Sequence, residues 1–221
     1  MKNIFLAIKK LLVVCLLPAT VLTGCNLFGL DMQQSYDYDY DAGMRSNELN
    51  CTVLEFLQQR ATDYRIFLEG IAYVGLENMY NERNATYIVL RNSVFTNTTT
   101  GFFLWNQLVN VDGAYYTPNT LTDYPKETVR QLLLYHIVKG AWSWHNLPYG
   151  PTWYPTYADG ETAFINMYMA KRVPPNIEFN SFPGHYVIGK TARTTNLKAS
   201  NGSYVHVLDD AYMQQPTPDV L

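Results

Sequence analysis

The spacing of apolar residues changes near Gly140, and this change constrains the fold more than any other feature of the sequence. Before that point apolar side chains recur mostly every three to four positions, the period that lines one face of a helix. After it they come in short β-branched and aromatic runs broken by Pro, Gly and Asn. Thr52 is placed to cap a first helix carrying Val53, Leu54, Phe56 and Leu57. A second carries Tyr64, Phe67, Leu68, Ile71, Ala72 and Leu76, with Gly75 near its end. Phe102–Val109 and Pro125–Val138 read as further helices, the latter with Val129, Leu132, Leu133 and His136 on one face and Gly140 as its stop. One strand-like run, Ala85–Leu90, interrupts the helical half. The later strand candidates are Glu161–Ala170, Ile177–Asn180, Tyr186–Ile188 and Tyr204–Leu208. Helices first and strands afterwards predict an α+β fold, with helices packed against a sheet sandwich.

The N-terminus carries a different message. Lys2, Lys9 and Lys10 form a basic start, Leu11–Leu17 an apolar run, and Leu22-Thr23-Gly24-Cys25 follows. Export machinery reads a basic region followed by a short apolar one, and this run is too short to span a bilayer comfortably. The tetrapeptide resembles a bacterial lipobox, so residues 1–24 are expected to be a signal peptide and Cys25 the site of lipidation. Palmitate-type acyl chains there would tether the chain without spanning the membrane. Removal of the three lysines would take the net charge from −3 to −6, and no basic run remains, which argues against nucleic acid. Hydrophobic residues make up 48% of the chain, enough for a packed core. Cys51 is then the last free thiol, leaving neither a disulfide framework nor a cysteine-based zinc site. Residues 25–49 read as an acidic tether. Asp37, Asp39, Asp41 and Glu48 match the first, third, fifth and last ligand positions of a calcium loop, but Ala42 stands where the loop needs Gly. A solvated spacer is the better reading.

Three segments in order resemble the fasciclin (FAS1) family. Thr86-Tyr87-Ile88-Val89-Leu90-Arg91-Asn92-Ser93-Val94-Phe95 resembles its first signature at Thr86, Asn92 and Phe95, with Leu90 and Arg91 replacing the usual Pro and Thr. Tyr135-His136 before Gly140 resembles the second. Asn201-Gly202 followed by His206-Val207-Leu208-Asp209 resembles the third, with one extra residue before His206 that a bulge or a shifted turn would absorb. The resemblance covers residues 50–215, leaving 216–221 as a tail. It implies a FAS1-like fold, N-terminal helices on a wedge or sandwich of short strands, and a role in cell adhesion without enzymatic activity. Lipid-anchored, tyrosine-rich forms resemble those of Bacteroidetes-type bacteria.

No Gly-x-Ser-x-Gly, His-Glu-x-x-His or phosphate loop occurs. His136, His145, His185 and His206 lack metal-ligand spacing, and His136 and His206 read as buried residues that hold partners together. No metal or other cofactor is expected. The aromatic surplus lies in 141–157, where Trp142, Trp144, Trp153, Tyr154 and Tyr157 are candidate ligand-binding residues. Flat rings stack on the apolar faces of sugars. The expectation is an outer-membrane lipoprotein, compatible with surface display, that binds an extracellular glycan or envelope protein, in one form as the accessory of an uptake system. The alternative is a structural or assembly subunit making only protein–protein contacts.

Overall fold

The computed structural model describes residues 26–27, 30–31, 47–171, 176–182 and 190–216. Two units are distinguished, residues 1–45 and 46–221. In the first, β1 (Asn26–Leu27) pairs antiparallel with β2 (Leu30–Asp31). Cys25, the acidic run around Asp37–Asp41, the strand candidate Tyr186–Ile188 and His185 lie outside the described residues.

The second unit opens with α1 (Val53–Gln59). Its capping box is complete: Glu55 N–H donates to the Thr52 hydroxyl and Thr52 N–H to the Glu55 carboxylate. Helix α2 (Ala61–Val74) ends at Gly75, whose φ of 69° places it in the left-handed region that closes helices. Its first turn is kinked at Tyr64. Strand β3 (Ala85–Leu90) is buried at all six positions. Two short helices follow, α3 (Asn92–Thr96) and α4 (Phe102–Trp105), then the hairpin of β4 (Leu108–Val109) and β5 (Tyr115–Tyr116). Helix α5 (Lys126–Tyr135) leads into β6 (Ile137–Lys139). The remaining strands are β7 (Thr152–Pro155), β8 (Phe164–Ala170), β9 (Asn176–Phe179), β10 (Lys190–Thr191), β11 (Thr194–Lys198) and β12 (Tyr204–Leu208).

These strands form two four-stranded sheets, ordered β11-β12-β3-β6 and β10-β9-β8-β7. The β12–β3 pair is parallel, with His206 opposite Ile88 and Val207 opposite Val89. A parallel central pair is buried on both faces, which explains why Ala85–Leu90 is buried throughout and shows no polar alternation, Thr86 being its one polar side chain. One face of β3 meets the helices: Tyr87 stacks on Tyr80 at 5.4 Å, and Tyr80 meets Phe67 of α2 edge-on at 5.7 Å. The other face meets the second sheet, where the Phe179 ring of β9 lies 6.0 Å from that of His206 in β12. The layers are thus helices, sheet, sheet. The two sheets are stitched at both ends. Val138 bridges Thr156 on one side, and on the other Ala192 N–H donates to Ile177 while Arg193 N–H donates to Val207.

Three sequence expectations are corrected. The helix read as Phe102–Val109 stops at Trp105, because Leu108 and Val109 pair instead with Tyr116 and Tyr115. The helix read through Val138 stops at Tyr135; Ile137 and Val138 fill the edge beside Tyr87 and Thr86, so Gly140 ends a strand rather than a helix. The tether read to residue 49 is too long, since Leu49 N–H donates to Lys198 and Lys198 N–H to Asn47, adding residues 47–49 to the β11 edge. Glu48 is correspondingly paired with Lys198 at 3.9 Å.

Candidate functional site

The residues of the three signature segments lie where elements join. Thr86 is fully buried; its hydroxyl donates to the Gly140 carbonyl and accepts from Trp142 N–H, both at 2.7 Å. It therefore fixes the chain as it leaves β6. Asn92 reaches into the kink of α2, accepting from Ile66 N–H and donating to the Thr62 carbonyl. The amide replaces helix hydrogen bonds that the kink has opened. Phe95 is fully buried and packs on Phe102 and Phe103. Tyr135 donates to the Phe164 carbonyl and accepts from Asn180, joining α5 to the second sheet. Asn201 donates to Asn81 and Glu82, and Gly202, at φ 86°, makes the turn into β12. Asp209 pairs with Arg193 at 2.7 Å. In the third segment Ser203 is buried and hydrogen-bonded to Ala85 and Glu82, and β12 then pairs with β3 in unbroken register from Tyr204 to Leu208; the register shift of the β11–β12 pair lies on β11, between Thr194 and Leu197.

His136 and His206 are fully buried and doubly hydrogen-bonded. Nδ1 of His136 faces the Leu132 carbonyl at 2.7 Å and must donate, while Nε2 accepts from Met213 N–H. In His206 the roles reverse: Nε2 donates to the Trp142 carbonyl and Nδ1 accepts from Asn196 N–H. Each ring is a single neutral tautomer with no nitrogen to spare for a metal or a proton. Burial lowers both pKa values to about 4, against a smaller upward pull from the carbonyl each ring faces. Among the described residues, no group of three or more His, Cys, Asp or Glu side chains is arranged to hold a metal ion. Cys51 is a free, half-buried thiol whose pKa burial raises.

The aromatic segment 141–157 is not wholly loop, because it contains edge strand β7. Pro155 sits in that strand, which an edge position tolerates. Trp142 is half-buried, lies 4.3 Å from Tyr154, and donates its indole N–H to the Lys139 carbonyl. Its ring occupies the space a Cβ on Gly140 would need, 2.8 Å from Nε1. Tyr154 is buried, so it supports Trp142 and offers no free face. Trp153 is half-buried against Phe182 at 4.9 Å, and Tyr157 is half-buried under the Lys139 ammonium at 5.3 Å. Trp144 is 37% exposed, and Tyr149, which sequence reasoning passed over as a contact, is 66% exposed. The backbone between them is pinned. Trp144 N–H donates to Asn196, Asn146 bonds Ser143 N–H and the Ala141 carbonyl, and Met169 N–H donates to Pro148. Lys171 lies 4.9 Å over the Tyr149 ring. The five candidates thus separate into one open ring, three half-buried ones and a core residue.

Two further features were not legible in the sequence. A cleft of about 300 Å³ lies between α5 and the C-terminal segment, lined by uncharged groups including Asn106, Gln131, Tyr135, Tyr212 and Gln214. Residues 104–116 also carry six of the nine large exposed hydrophobic side chains among the described residues, far more than the aromatic segment does. Only tertiary structure separates these from the equally apolar Phe102 and Phe103 beside them.

The layering and strand order define an α+β fold of helices on two short-stranded sheets, and its likeness to the FAS1 fold rests on a solved structure. No protein-family model matches the chain, and neither does any curated protein. Among solved structures, it is similar to a FAS1 domain pair from the insect cell adhesion molecule fasciclin I, with a TM-score of 0.50 and 15% identity. The match covers 77% of this chain and 53% of that one, so the chain spans about half the length of the pair. At that identity the likeness is one of fold. Among the described residues, no helix is long and apolar enough to cross a membrane.

Proposed function

We propose that this chain is a lipid-anchored protein of the bacterial cell envelope whose FAS1-like domain works by binding, and that its ligand is an extracellular glycan engaged by Trp144 and Tyr149. The observation that carries the reading is the pinned segment 143–149, from which these two rings project outward. Rings held by a rigid backbone lose little entropy on stacking against a sugar. The adhesion role of fasciclin I supports a binding function for the shared fold, and the buried, fully bonded His136 and His206 support a structural rather than catalytic part for them. The lipobox-like Leu22–Cys25 supports the anchor, and the acidic run after it supports display away from the membrane. An uptake system that captures sugars at the outer membrane is a setting that fits such an accessory.

A glycan array probed with residues 46–221, beside a Trp144→Ala/Tyr149→Ala variant, tests the ligand. Binding by the parent that is lost in the folded variant supports the reading; no binding to any glycan would remove it. The anchor is tested separately by labelling cells with a radioactive fatty acid. Label is expected in the parent chain and absent in Cys25→Ser; equal label in both would remove the anchor assignment.

A further inference from the structure

The β4–β5 hairpin stands apart from both main sheets and is unusually apolar. Trp105 is 67% exposed, Tyr115 74% and Val111 completely so, with Leu104, Val109 and Tyr116 exposed beside them. Val109 and Tyr115 are directly opposed in the register and share one face. Asp112 is the sole charged residue between Leu104 and Pro118. The hairpin is nonetheless well built. Asn110 N–H donates to the Ala114 carbonyl, its side chain accepts from Asp112 and Ala114 N–H, Gly113 takes φ 81°, and Gln107 bonds Thr117. It is a rigid surface rather than a frayed loop.

Two properties point to the occupant. Among the described residues β4 and β5 pair only with each other, so the outer edge of β5 keeps its strand hydrogen-bonding groups free. No Lys, Arg or Pro lies within Ala114–Thr117 to block that edge, as exposed edges ordinarily require. Summed over both faces of the hairpin and the adjoining α4, the exposed surface of these six side chains is on the order of 700 Å². That total is close to the ~800 Å² each partner contributes to a stable interface, and it flanks the free edge of β5 on both sides. An uncharged, edge-presenting surface suits a partner with the same properties.

We propose that the outer edge of β5 is a self-association surface, pairing antiparallel with β5 of a second copy about a two-fold axis to join two hairpins into one four-stranded sheet. Such an interface is self-complementary, because each copy supplies the same strand and the same rings. Antiparallel pairing directs the two hairpin tips to opposite ends, which keeps the two Asp112 carboxylates apart. The contact lies on a different segment from Trp144 and Tyr149 and does not depend on the glycan reading.

Sedimentation equilibrium of the full chain in a non-ionic detergent, over micromolar to near-millimolar protein, tests it. The parent is expected to dissociate from dimer to monomer on dilution. Val109→Lys/Tyr115→Lys places one charge on the β5 edge and one beside it on the same face of the hairpin, and should weaken association by at least about 100-fold. Trp144→Ala/Tyr149→Ala, which alters exposed rings elsewhere, should leave the dimer intact. Both hairpin positions are mostly exposed, so the variant should keep the parent's circular dichroism and urea midpoint; if it does not, Tyr115→Lys alone is the variant to read. A parent that stays monomeric throughout, or a folded hairpin variant that still dimerises like the parent, would overturn the proposal.

Discussion

Thr86 and Asn92 show how single polar residues carry more of this fold than their size suggests. Each satisfies two backbone groups that the surrounding structure leaves without a regular partner. Thr86→Val keeps the shape but strands the Gly140 carbonyl and Trp142 N–H in a partly buried place. Leaving buried groups unpaired costs about 1–3 kcal/mol each, so a loss of roughly 2–4 kcal/mol is expected in urea denaturation. Asn92→Ala should cost somewhat less, about 1–3 kcal/mol, because its site at the α2 kink is open to water that can replace part of the bonding. A Thr86→Val variant as stable as the parent would show that Thr86 does not hold the turn after β6. Both residues were legible in the sequence as members of a signature segment. Their roles were not, because the atoms they bond lie 26 to 56 positions away.

Glycines decide how the elements meet. A Cβ on Gly101 would come within 2.3 Å of the Asn97 carbonyl oxygen and 2.8 Å of that of Phe95, both backbone atoms that cannot step aside. A Cβ on Gly70, in the middle of α2, would clash with the end of the Leu121 side chain at 2.6 Å and otherwise make ordinary contact with Leu133 at 3.6 Å. Gly101→Ala is therefore expected to destabilise by more than about 3 kcal/mol, and Gly70→Ala by about 1–3 kcal/mol, since the leucine can turn and Ala favours the helix. Thermal melts of the two variants check the order, and a reversed order would refute it. The same scale explains the misread elements. A four-residue apolar run has no reliable period, so Leu108–Val109 looked helical until the hairpin claimed it. Ile137–Lys139 continued a good helical pattern, and the free edge of β3 outweighed that pattern. β11, with Thr194, Thr195 and Asn196 at its start, shows no strand signal of its own and exists because β12 lies beside it.

For the molecule as a whole, acid is the condition that should separate its layers. His136 joins α5 to the C-terminal segment, and His206 joins β12 to the turn at Trp142 and to β11. Both have a folded-state pKa of about 4, below the ordinary value of 6.5, so the unfolded chain binds the protons first. Their contribution to stability is complete above pH 6.5 and is lost as pH falls toward 4. The loss is on the order of 3 kcal/mol for each. Urea midpoints should fall steeply over that window, and His206→Gln should flatten part of the slope; a midpoint constant between pH 7 and pH 4.5 would contradict the assignment. The sequence by itself determined the capped first helix, the Gly75 stop, the Ala85–Leu90 strand and the α+β order of elements, because caps, turns and apolar periods act over a few neighbouring residues. Only the tertiary structure decided which aromatic residues face outward. Phe102 and Trp105 sit one helical turn apart in the same apolar run, yet one is core and the other open, because burial depends on what the rest of the chain packs against that turn.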